Sequence, residues 1–272
     1  LRSIELNATA VESNTQSFRW GRLAAVDPAR VAAAATPSPL PESQRLSASL
    51  DERIARRTEY LTAYQDAAYA KRYADFVARV RAAEKAKAPG ATALTEAVAR
   101  YHFKLLAVKD EYEVARLYAE TDFAARVADR FDGDYKLVFH LAPPVFNRPD
   151  PVTGEAKKSA YGAWMMRAFR LLAKLRRLRG SALDVFGRTA ERRMERALAA
   201  DYEKLVDELV AALAPHNHAL AVELAEIPEH IRGFGHVKER HLKAAKLREA
   251  ALLAAFRQAR PSGAKVEALA TA

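Results

Sequence analysis

The sequence predicts a mainly α-helical, multi-helix protein with a minor β element. Three observations support this fold class. Apolar residues recur at helical spacing over most of the chain after Ser49, capping residues precede these stretches, and one short stretch alternates with the two-residue period of a strand. Half of the 272 residues are hydrophobic, which is enough for a buried core. We therefore expect helices throughout, a strand near 135–141 and a weaker strand over 1–6.

The first part of the chain is expected to be separate from the rest. Residues 1–35 carry the weakly alternating stretch 1–6, followed by two helical stretches. Residues 36–49, TPSPLPESQRLSAS, hold three prolines, four serines and few apolar residues, which predicts a linker. The chain then divides into the segment 1–35, the linker 36–49, a helical domain over 50–260 and a frayed tail over 261–272.

From the linker to residue 131 the pattern is helical. Helices are expected to begin at capping residues and to end at breakers, because side chains of Ser, Thr and Asp accept hydrogen bonds from the first turn. The predicted boundaries are Ser49 with Glu52 as a capping box, a break near Asp66, an end at Pro89-Gly90, a start at Thr92 and a short helix from Asp122 to Phe131.

One stretch favours a strand and the remainder favours helices. YKLVFHL, residues 135–141, alternates apolar with other side chains and ends at two prolines. A lone strand leaves its backbone groups unpaired, so it needs a partner in this chain or in a neighbouring one. Longer helices are then expected over about 160–179, 189–213 and 236–258, with a short one over 217–226.

Positive charge is concentrated in one part of the chain. The formal net charge is +10, and residues 156–200 hold twelve Lys or Arg against three acidic residues. The first predicted helix of this region has a basic face and an apolar face. The basic face is either the solvated side of a core helix or a docking surface for an acidic partner or a phosphate-bearing ligand. The candidates for a basic interface are Arg167, Arg170, Lys174, Arg177, Arg192 and Arg193.

The stretch IRGFGHVKERH, residues 231–241, places two glycines among ionisable side chains. Such glycines suit positive φ or a close approach of the backbone, and the following helix would direct free N–H groups at an anion. The alternative is a turn between two helices in which Phe234 packs against its neighbours. The candidate anion- or phosphate-binding residues are Arg232, Gly233, Gly235, His236 and Lys238.

Other patterns were weighed against structural explanations. Five histidines fall within 216–241, but His236 and His241 lie on different helix faces and no HExxH is present, so no metal site is assigned. The tyrosines at 60, 64, 69 and 73 lie among basic residues, a pattern compatible with single-stranded nucleic acid, although helix packing explains it better. No GxSxG, cysteine nucleophile or Rossmann fingerprint occurs, so no catalytic residue is assigned.

The composition limits the compartment and the cofactors. The chain has no cysteine, which excludes disulfides and iron–sulfur clusters held by this segment and fits a cytoplasmic protein. No apolar run reaches the roughly 18 residues of a membrane span, and no signal peptide is recognised. The chain begins at Leu1 in the middle of a pattern, so we expect it to be part of a longer polypeptide.

Several runs together resemble one family. They are LNATAVESNTQSFRWGRLAAVDP, YLTAYQDAAYAKRYADFV, KDEYEVARLY, GDYKLVFHLAPP, DVFGRTAERRMERAL and IRGFGHVKERHL. In this order they resemble the C-terminal region of the indolepyruvate:ferredoxin oxidoreductases, members of the 2-oxoacid:ferredoxin oxidoreductase group. The first run is similar to the end of the family's pyruvate/ketoisovalerate oxidoreductase gamma-type domain, and the others to a C-terminal extension of unknown function. Ala8 stands where the family usually has glycine.

The resemblance implies an assembly that oxidatively decarboxylates arylpyruvates to acyl-CoA and passes electrons to ferredoxin. Thiamine diphosphate with Mg²⁺, [4Fe–4S] clusters and coenzyme A would serve the parent enzyme. The thiamine-diphosphate motif and the cluster cysteines are absent here, so we expect an accessory helical domain that binds no cofactor itself. Its partners would be the catalytic domains or subunits and, for the assembly, ferredoxin. Two alternatives remain: contact with the phosphates of coenzyme A or thiamine diphosphate, and a basic nucleic-acid-binding module.

Overall fold

The computed structural model describes residues 1–35, 45–131, 133–142, 158–233 and 235–259. The protein divides into two compact units, unit 1 from Leu1 to Ala48 and unit 2 from Ser49 to Ala272. The predicted fold class, mainly α with a minor β element, is confirmed. Residues 36–44 of the predicted linker and the predicted tail 261–272 lie outside the described residues.

Unit 1 consists of three consecutive helices, α1 (Arg2–Asn7), α2 (Val11–Val26) and α3 (Pro28–Ala35). The strand predicted over 1–6 is wrong, because these residues form α1 instead. A strand would need a partner for its backbone groups, whereas a helix satisfies most of its own. Ala8 ends α1 with a φ of 51°, in the left-handed region that suits glycine better than alanine. None of the described residues of unit 1 is buried.

Unit 2 contains the remaining helices. In chain order they are α4 (Leu50–Tyr64), α5 (Ala67–Lys87), α6 (Ala93–Leu106), α7 (Glu111–Ala119), α8 (Phe123–Ala128), α9 (Met165–Lys174), α10 (Ala190–Ala212), α11 (His218–Ala225) and α12 (Gly235–Gln258). The predicted helix start at Ser49 and the predicted break near Asp66 are confirmed. The side chains of Ser49, Asp66 and Thr189 each accept a hydrogen bond from the first turn of α4, α5 and α10, respectively.

The strand predicted over 135–141 is shorter than expected. Only Phe139–Leu141 forms a strand, β1, which pairs antiparallel with β2 (Ser159–Tyr161). The partner strand occupies residues that the sequence assigned to the start of a helix, so α9 begins five residues later than predicted. The pairing gives β1 the backbone partner that an isolated strand lacks.

The main core of unit 2 lies around α6, which packs against α4, α5, α10 and α11. Tyr64, Tyr73 and Tyr202 are buried there, and the hydroxyl of each donates to a backbone carbonyl oxygen. The packing interpretation of the tyrosine pattern is thereby confirmed. Buried phenol groups with a hydrogen-bond partner add specificity to an apolar core.

A smaller core joins α7, β1 and α9. Phe139, Phe169 and Tyr118 form a cluster of rings in which Tyr118 stacks on Phe169 with centroids 5.0 Å apart. The buried side of α9 consists of Met165, Phe169 and Ala173. This satellite core fixes the direction in which the opposite, basic side of α9 faces.

Candidate functional site

A cavity of about 420 Å³ lies in unit 2 where four segments meet. The segments are the joint between α4 and α5 (64–72), the joint between α6 and α7 (105–112), the irregular stretch 179–187 and the first turns of α10 (192–200). Its size falls in the usual range for small-molecule sites. We call it the α10 cavity.

Arg179 forms one wall of the α10 cavity and joins three of these segments. Its guanidinium donates two hydrogen bonds to Asp110, at 2.5 and 2.8 Å, and one to the carbonyl oxygen of Tyr64 at 2.6 Å. It also lies over the ring of Tyr64, 3.7 Å from the centroid. Asp110 in turn caps α7 by accepting from the amide of Glu113. The side chains of both partners are more than nine-tenths buried, so this pair is structural.

The stretch after Arg179 is organised by Asp184. This buried carboxylate accepts from the amides of Gly180 and Gly187 at 2.8 and 2.9 Å. The turn is so close that a Cβ at Gly187 would overlap the carboxylate of Asp184 and come 2.7 Å from the guanidinium of Arg196. Glycine is therefore required at 187 for space.

An ion-pair network at the start of α10 forms another wall of the α10 cavity. Arg192 pairs with Glu111 at 3.2 Å and with Glu195 at 2.7 Å, and Lys238 of α12 donates to Glu195 at 2.5 Å. The second carboxylate oxygen of Glu111 is buried and has no hydrogen-bond partner among the described residues. That oxygen makes this end of the cavity unfavourable for an anion.

Two half-exposed arginines, Arg72 and Arg196, line the α10 cavity together with Ala199 and Ala200. Arg72 makes two hydrogen bonds to Glu203 at 2.8 and 2.9 Å. Arg196 donates to the carbonyl oxygen of Gly187 and lies 3.8 Å from Asp184.

Glu203 is held ionised by its neighbours. Burial alone would raise its pKa, but hydrogen bonds from His102 and Arg72 lower the pKa to about 2. The ring of His102 is fully buried, and burial lowers its pKa, so the imidazole is neutral and donates from Nε2 to Glu203 at 2.8 Å. The Arg72 guanidinium is therefore anchored by a carboxylate that stays charged throughout the physiological pH range.

Four aromatic side chains line the α10 cavity: Tyr64, Tyr69, Tyr112 and Phe186. Burial raises the pKa of Tyr69 and of Tyr112 to about 12, so neither phenol ionises at neutral pH. Their hydroxyls donate to Leu106 and Asp184, respectively. The described lining residues include no cysteine, serine or histidine.

A second candidate site is the exposed side of α9 and the 3₁₀ turn that follows it. Arg167, Arg170, Lys174 and Arg177 are all exposed, and no ion-pair partner for any of them occurs in the described parts of the chain. Large apolar side chains are exposed beside them, with Trp164 60% and Leu171 64% accessible. We call this surface the α9 basic face: Trp164, Arg167, Arg170, Leu171, Lys174 and Arg177.

The two remaining basic candidates, Arg192 and Arg193, do not belong to this surface. Arg192 is largely buried in the network with Glu111 and Glu195. Arg193 is exposed on α10 and donates to the carbonyl oxygen of Arg188. The sequence interval 156–200 therefore contains two different uses of positive charge, one internal and one facing solvent.

The stretch 231–241 forms a joint between a 3₁₀ turn (Ile227–His230) and α12. Gly233 and Gly235 both adopt positive φ, at 90° and 52°. The predicted cations already have partners, since Arg232 pairs with Glu229 and Lys238 with Glu195. Phe234 and the side chain of His236 lie outside the described residues. The geometry therefore favours a turn between two helical segments. Arg232 and Lys238 are held by Glu229 and Glu195, respectively, which lie on different elements.

Three of the histidines that are close in the sequence have separate hydrogen-bond partners. His218 donates to Glu84, His230 lies 3.0 Å from a guanidinium nitrogen of Arg248, and His241 bonds to the carbonyl oxygen of Arg232. Within the described residues, no group of three or more His, Cys, Asp or Glu is arranged to hold a metal ion.

Sequence reasoning missed the α10 cavity. Its key residues, Asp110, Arg179, Asp184 and Gly187, come from segments far apart in the chain, and the carboxylates looked like ordinary capping and turn residues. One local signal was available. DVFGR places a glycine three residues after an aspartate, which suits a tight turn closed by the carboxylate.

The chain was compared with known proteins. Among the described residues no helix combines the length and apolarity needed to cross a membrane. No curated protein and no solved structure matches the chain significantly. The profile of DUF6537, a family of unknown function, matches residues 50–251, about three quarters of the chain and most of unit 2. By this match the chain belongs to the DUF6537 family.

Proposed function

We propose that this protein is an accessory docking domain of an indolepyruvate (arylpyruvate):ferredoxin oxidoreductase. In such an assembly, 2-oxoacids are oxidatively decarboxylated to acyl-CoA and electrons pass to ferredoxin, while the chemistry takes place outside this segment. The proposal includes a cytoplasmic location, which the cysteine-free composition fits. It is supported by the order of the resembling sequence runs and by the α9 basic face.

The observation that carries the proposal is that the four cations of the α9 basic face are exposed and have no ion-pair partner among the described residues. Elsewhere in unit 2, exposed arginines such as Arg72, Arg81 and Arg257 each pair with a carboxylate. No acidic residue occurs in the sequence from Lys158 to Leu183, so the face has no local counter-charge. An uncompensated basic surface attracts an acidic one and raises the rate of association.

The partner we propose is an acidic surface on a catalytic domain or subunit. Exposed Trp164 and Leu171 among the cations resemble a protein interface, in which aromatic and apolar anchors are surrounded by charge. Nucleic acid would use the cations but has no need for an exposed leucine. The α9 basic face therefore favours a protein partner.

The test is a charge reversal on this face. In the complete oxidoreductase, Arg170→Glu with Lys174→Glu should weaken retention of the thiamine-diphosphate-dependent catalytic polypeptide by at least about tenfold, because two attractions become repulsions. Retention is measured by co-purification and by size-exclusion chromatography at several salt concentrations. Arylpyruvate-dependent reduction of ferredoxin should fall in parallel.

The matched control is Arg240→Glu with Lys243→Glu on α12. These two exposed cations are three residues apart, about one helical turn, and their reversal changes the net charge equally. The control should assemble like the wild type. Equal loss in both variants, or no loss in either, contradicts docking through the α9 basic face.

The ligand-binding alternative predicts heat on titration with coenzyme A or thiamine diphosphate. The intrachain ion pairs of Arg232 and Lys238 argue against it at the 231–241 joint. We expect no saturable heat that depends on these residues. For the nucleic-acid alternative, retention on single-stranded DNA or RNA at physiological salt is the corresponding measurement.

A further inference from the structure

The exposed apolar side chains of α9 fall on one line along the helix. Trp164, Leu171 and Leu175 are 60%, 64% and 40% exposed. The backbone is helical from Trp164 through Lys174. With 3.6 residues per turn, spacings of seven and eleven residues return to within about 20° of the same direction. These three side chains therefore form a straight stripe about 16 Å long, at a rise of 1.5 Å per residue. We call it the α9 apolar stripe.

The cations of α9 lie along one flank of this stripe. Arg167, Arg170 and Lys174 lie three, six and ten residues beyond the start of the stripe, which turns them about 60–120° to the same side. The opposite flank packs against the satellite core through Leu172. A partner element therefore meets apolar anchors in the middle and positive charge on one side only.

The anchors of the stripe are held in place although they are exposed. The ring of Trp164 meets Tyr161 of β2 edge to face, with centroids 6.1 Å apart. Leu171 extends from the middle of α9, whose opposite side is buried through Phe169 and Ala173. A side chain that is already positioned loses less conformational entropy on binding. The stripe is thus a preformed binding surface.

The form of this surface selects the kind of element that binds it. An added β-strand needs an open sheet edge, whereas the backbone groups within a helix are bonded along the helix. A second copy of the same surface would bring like charges together. A helix, in contrast, packs along another helix by placing apolar residues at spacings of three and four over such a stripe.

We propose that the α9 apolar stripe and its basic flank bind an amphipathic helix that carries acidic residues along one edge of its apolar face. This inference rests on the proposed docking function and specifies which element of the partner docks. Because cations occupy one flank only, reversing the partner helix would move its acidic edge away from them. The surface therefore also sets the direction of the bound helix.

The probe is a synthetic amphipathic peptide of about 20 residues, with Leu at spacings of three and four and Glu along one edge. The chain has two tryptophans, so in the full chain carrying Trp20→Phe the fluorescence reports on Trp164 alone. We expect a saturable blue shift as the ring leaves water, and helical Cα chemical shifts for the isotope-labelled peptide. A peptide of the same composition in which Leu and Glu alternate, and one with Lys in place of Glu, should bind at least about tenfold more weakly.

Leu171→Ala locates the site. It removes one anchor, leaves all charges in place and should weaken the amphipathic peptide at least about tenfold. Leu247→Ala is the matched control, because Leu247 is an equally exposed leucine on α12. Circular dichroism checks the folding of both variants.

Three results overturn the proposal: tight binding of the alternating peptide, a bound peptide without helical shifts, and equal effects of the two leucine variants. Vesicles of phosphatidylcholine and phosphatidylserine test a lipid surface instead. Binding of these vesicles that Leu171→Ala weakens, without binding of the amphipathic peptide, assigns the stripe to a membrane and also overturns the proposal.

The docking function and the helical partner fail separately. If Arg170→Glu with Lys174→Glu disrupts the oxidoreductase but the amphipathic peptide does not bind, docking stands and the helical partner is wrong. If the peptide binds as expected and the oxidoreductase survives the charge reversal, the surface binds an acidic helix and the proposed docking function is wrong.

Discussion

Arg179 connects more of unit 2 than any pattern in the sequence suggests. It joins the end of the segment that follows α9 to Tyr64 of α4 and to Asp110 at the start of α7, with both hydrogen bonds and ring stacking. A planar, delocalised cation can do both at once, whereas a lysine ammonium cannot donate a paired set of hydrogen bonds and stack. The identity of this residue therefore matters beyond its charge.

The substitution Arg179→Lys tests this argument. We expect the free energy of unfolding to fall by about 3 kcal/mol, because lysine cannot make the paired hydrogen bonds and the buried carboxylate of Asp110 is left partly unsatisfied. Arg176→Lys is the control: this arginine pairs with Glu120 in a more exposed position, and we expect a loss of less than about 1 kcal/mol. Urea unfolding monitored by circular dichroism gives both values. Similar losses in the two variants contradict a special role for Arg179.

Gly187 provides a second residue-level prediction. Gly187→Ala should destabilise the protein by about 1–3 kcal/mol, because the new methyl group collides with Asp184 and Arg196. At Gly162 an added Cβ would make only an ordinary 3.7 Å contact with Trp164, so Gly162→Ala should cost less. Thermal unfolding of the two variants side by side checks the difference. A Gly187→Ala protein as stable as the Gly162→Ala one is incompatible with the crowded turn.

Single residues differ in how readily the sequence reveals them. Ser49 and Thr189 were predictable as caps because their partners are amides three residues away. The role of Arg179 was not, because Asp110 lies 69 residues away. Local chemistry is visible in sequence, whereas pairing across the fold needs the coordinates.

At the scale of elements, Glu84 shows how helices are held together. Its carboxylate, in the last turn of α5, accepts from the amides of Leu94 and Thr95 and from the Thr95 hydroxyl in the first turn of α6. It also accepts from His218 of α11 at 2.7 Å. The negative charge satisfies free N–H groups at a helix start, where the dipole favours it.

This arrangement makes a prediction about pH. Burial alone would raise the pKa of Glu84, but the hydrogen bonds from His218, Thr95 and Leu94 lower it below its usual 4.5. Since the pKa is lower in the folded state, the stabilisation is fully present above the unfolded value and is lost as pH falls through the folded one. Glu84→Gln should therefore cost about 2 kcal/mol at neutral pH and progressively less below pH 4.5.

Urea unfolding across this pH range measures the effect of Glu84→Gln. The control is Glu96→Gln, an exposed glutamate in the first turn of α6 that contacts Thr92. Glu96→Gln should destabilise the protein less than Glu84→Gln does, and this small destabilisation should change little as the pH falls. If the loss in free energy of unfolding caused by Glu84→Gln stays constant below pH 4.5, the charge of Glu84 does not stabilise the fold.

Elements were predictable where helical periodicity was long. α10 follows the predicted range 189–213 within a residue at each end. The strands were harder, because Phe139 pairs with Tyr161 across a long intervening stretch rather than a short hairpin turn, so the sequence does not fix the partner or the register. Short strands derive their stability from a distant partner, so local periodicity does not distinguish β2 from the start of a helix. In residues 1–6 the alternation is weak, and these residues form α1 instead of a strand.

On the scale of the whole molecule, unit 2 contains a complete apolar core. Every buried residue of the main cluster, from Leu61 to Phe256, belongs to this unit. Residues 49–259 should therefore fold cooperatively when produced alone, since a domain with its own hydrophobic core can fold without its neighbouring segments. A single sigmoidal unfolding transition with a strong helical signal is the expected result. A non-cooperative melt shows instead that the core needs residues outside this range.

The candidate sites illustrate the limit of sequence at this scale. The α9 basic face was predictable, because three of its four cations lie on α9 and Arg177 follows on the next turn, so an amphipathic pattern reveals them. The α10 cavity was not, because its walls combine residues from 64 to 200, and ion pairing inside the protein resembles surface charge in a sequence. Arg192 is the clearest example, since it was grouped with the interface and is internal.

The buried tyrosines of the core have a consequence in alkali. The pKa values of seven of the ten tyrosines are raised, to about 12 for Tyr60, Tyr69 and Tyr112, with burial the largest cause in each. The folded state thus resists phenolate formation, and its stability declines once pH rises above the ordinary value of 10.0. The ultraviolet absorbance of tyrosinate from these seven residues should therefore appear late, together with loss of ellipticity.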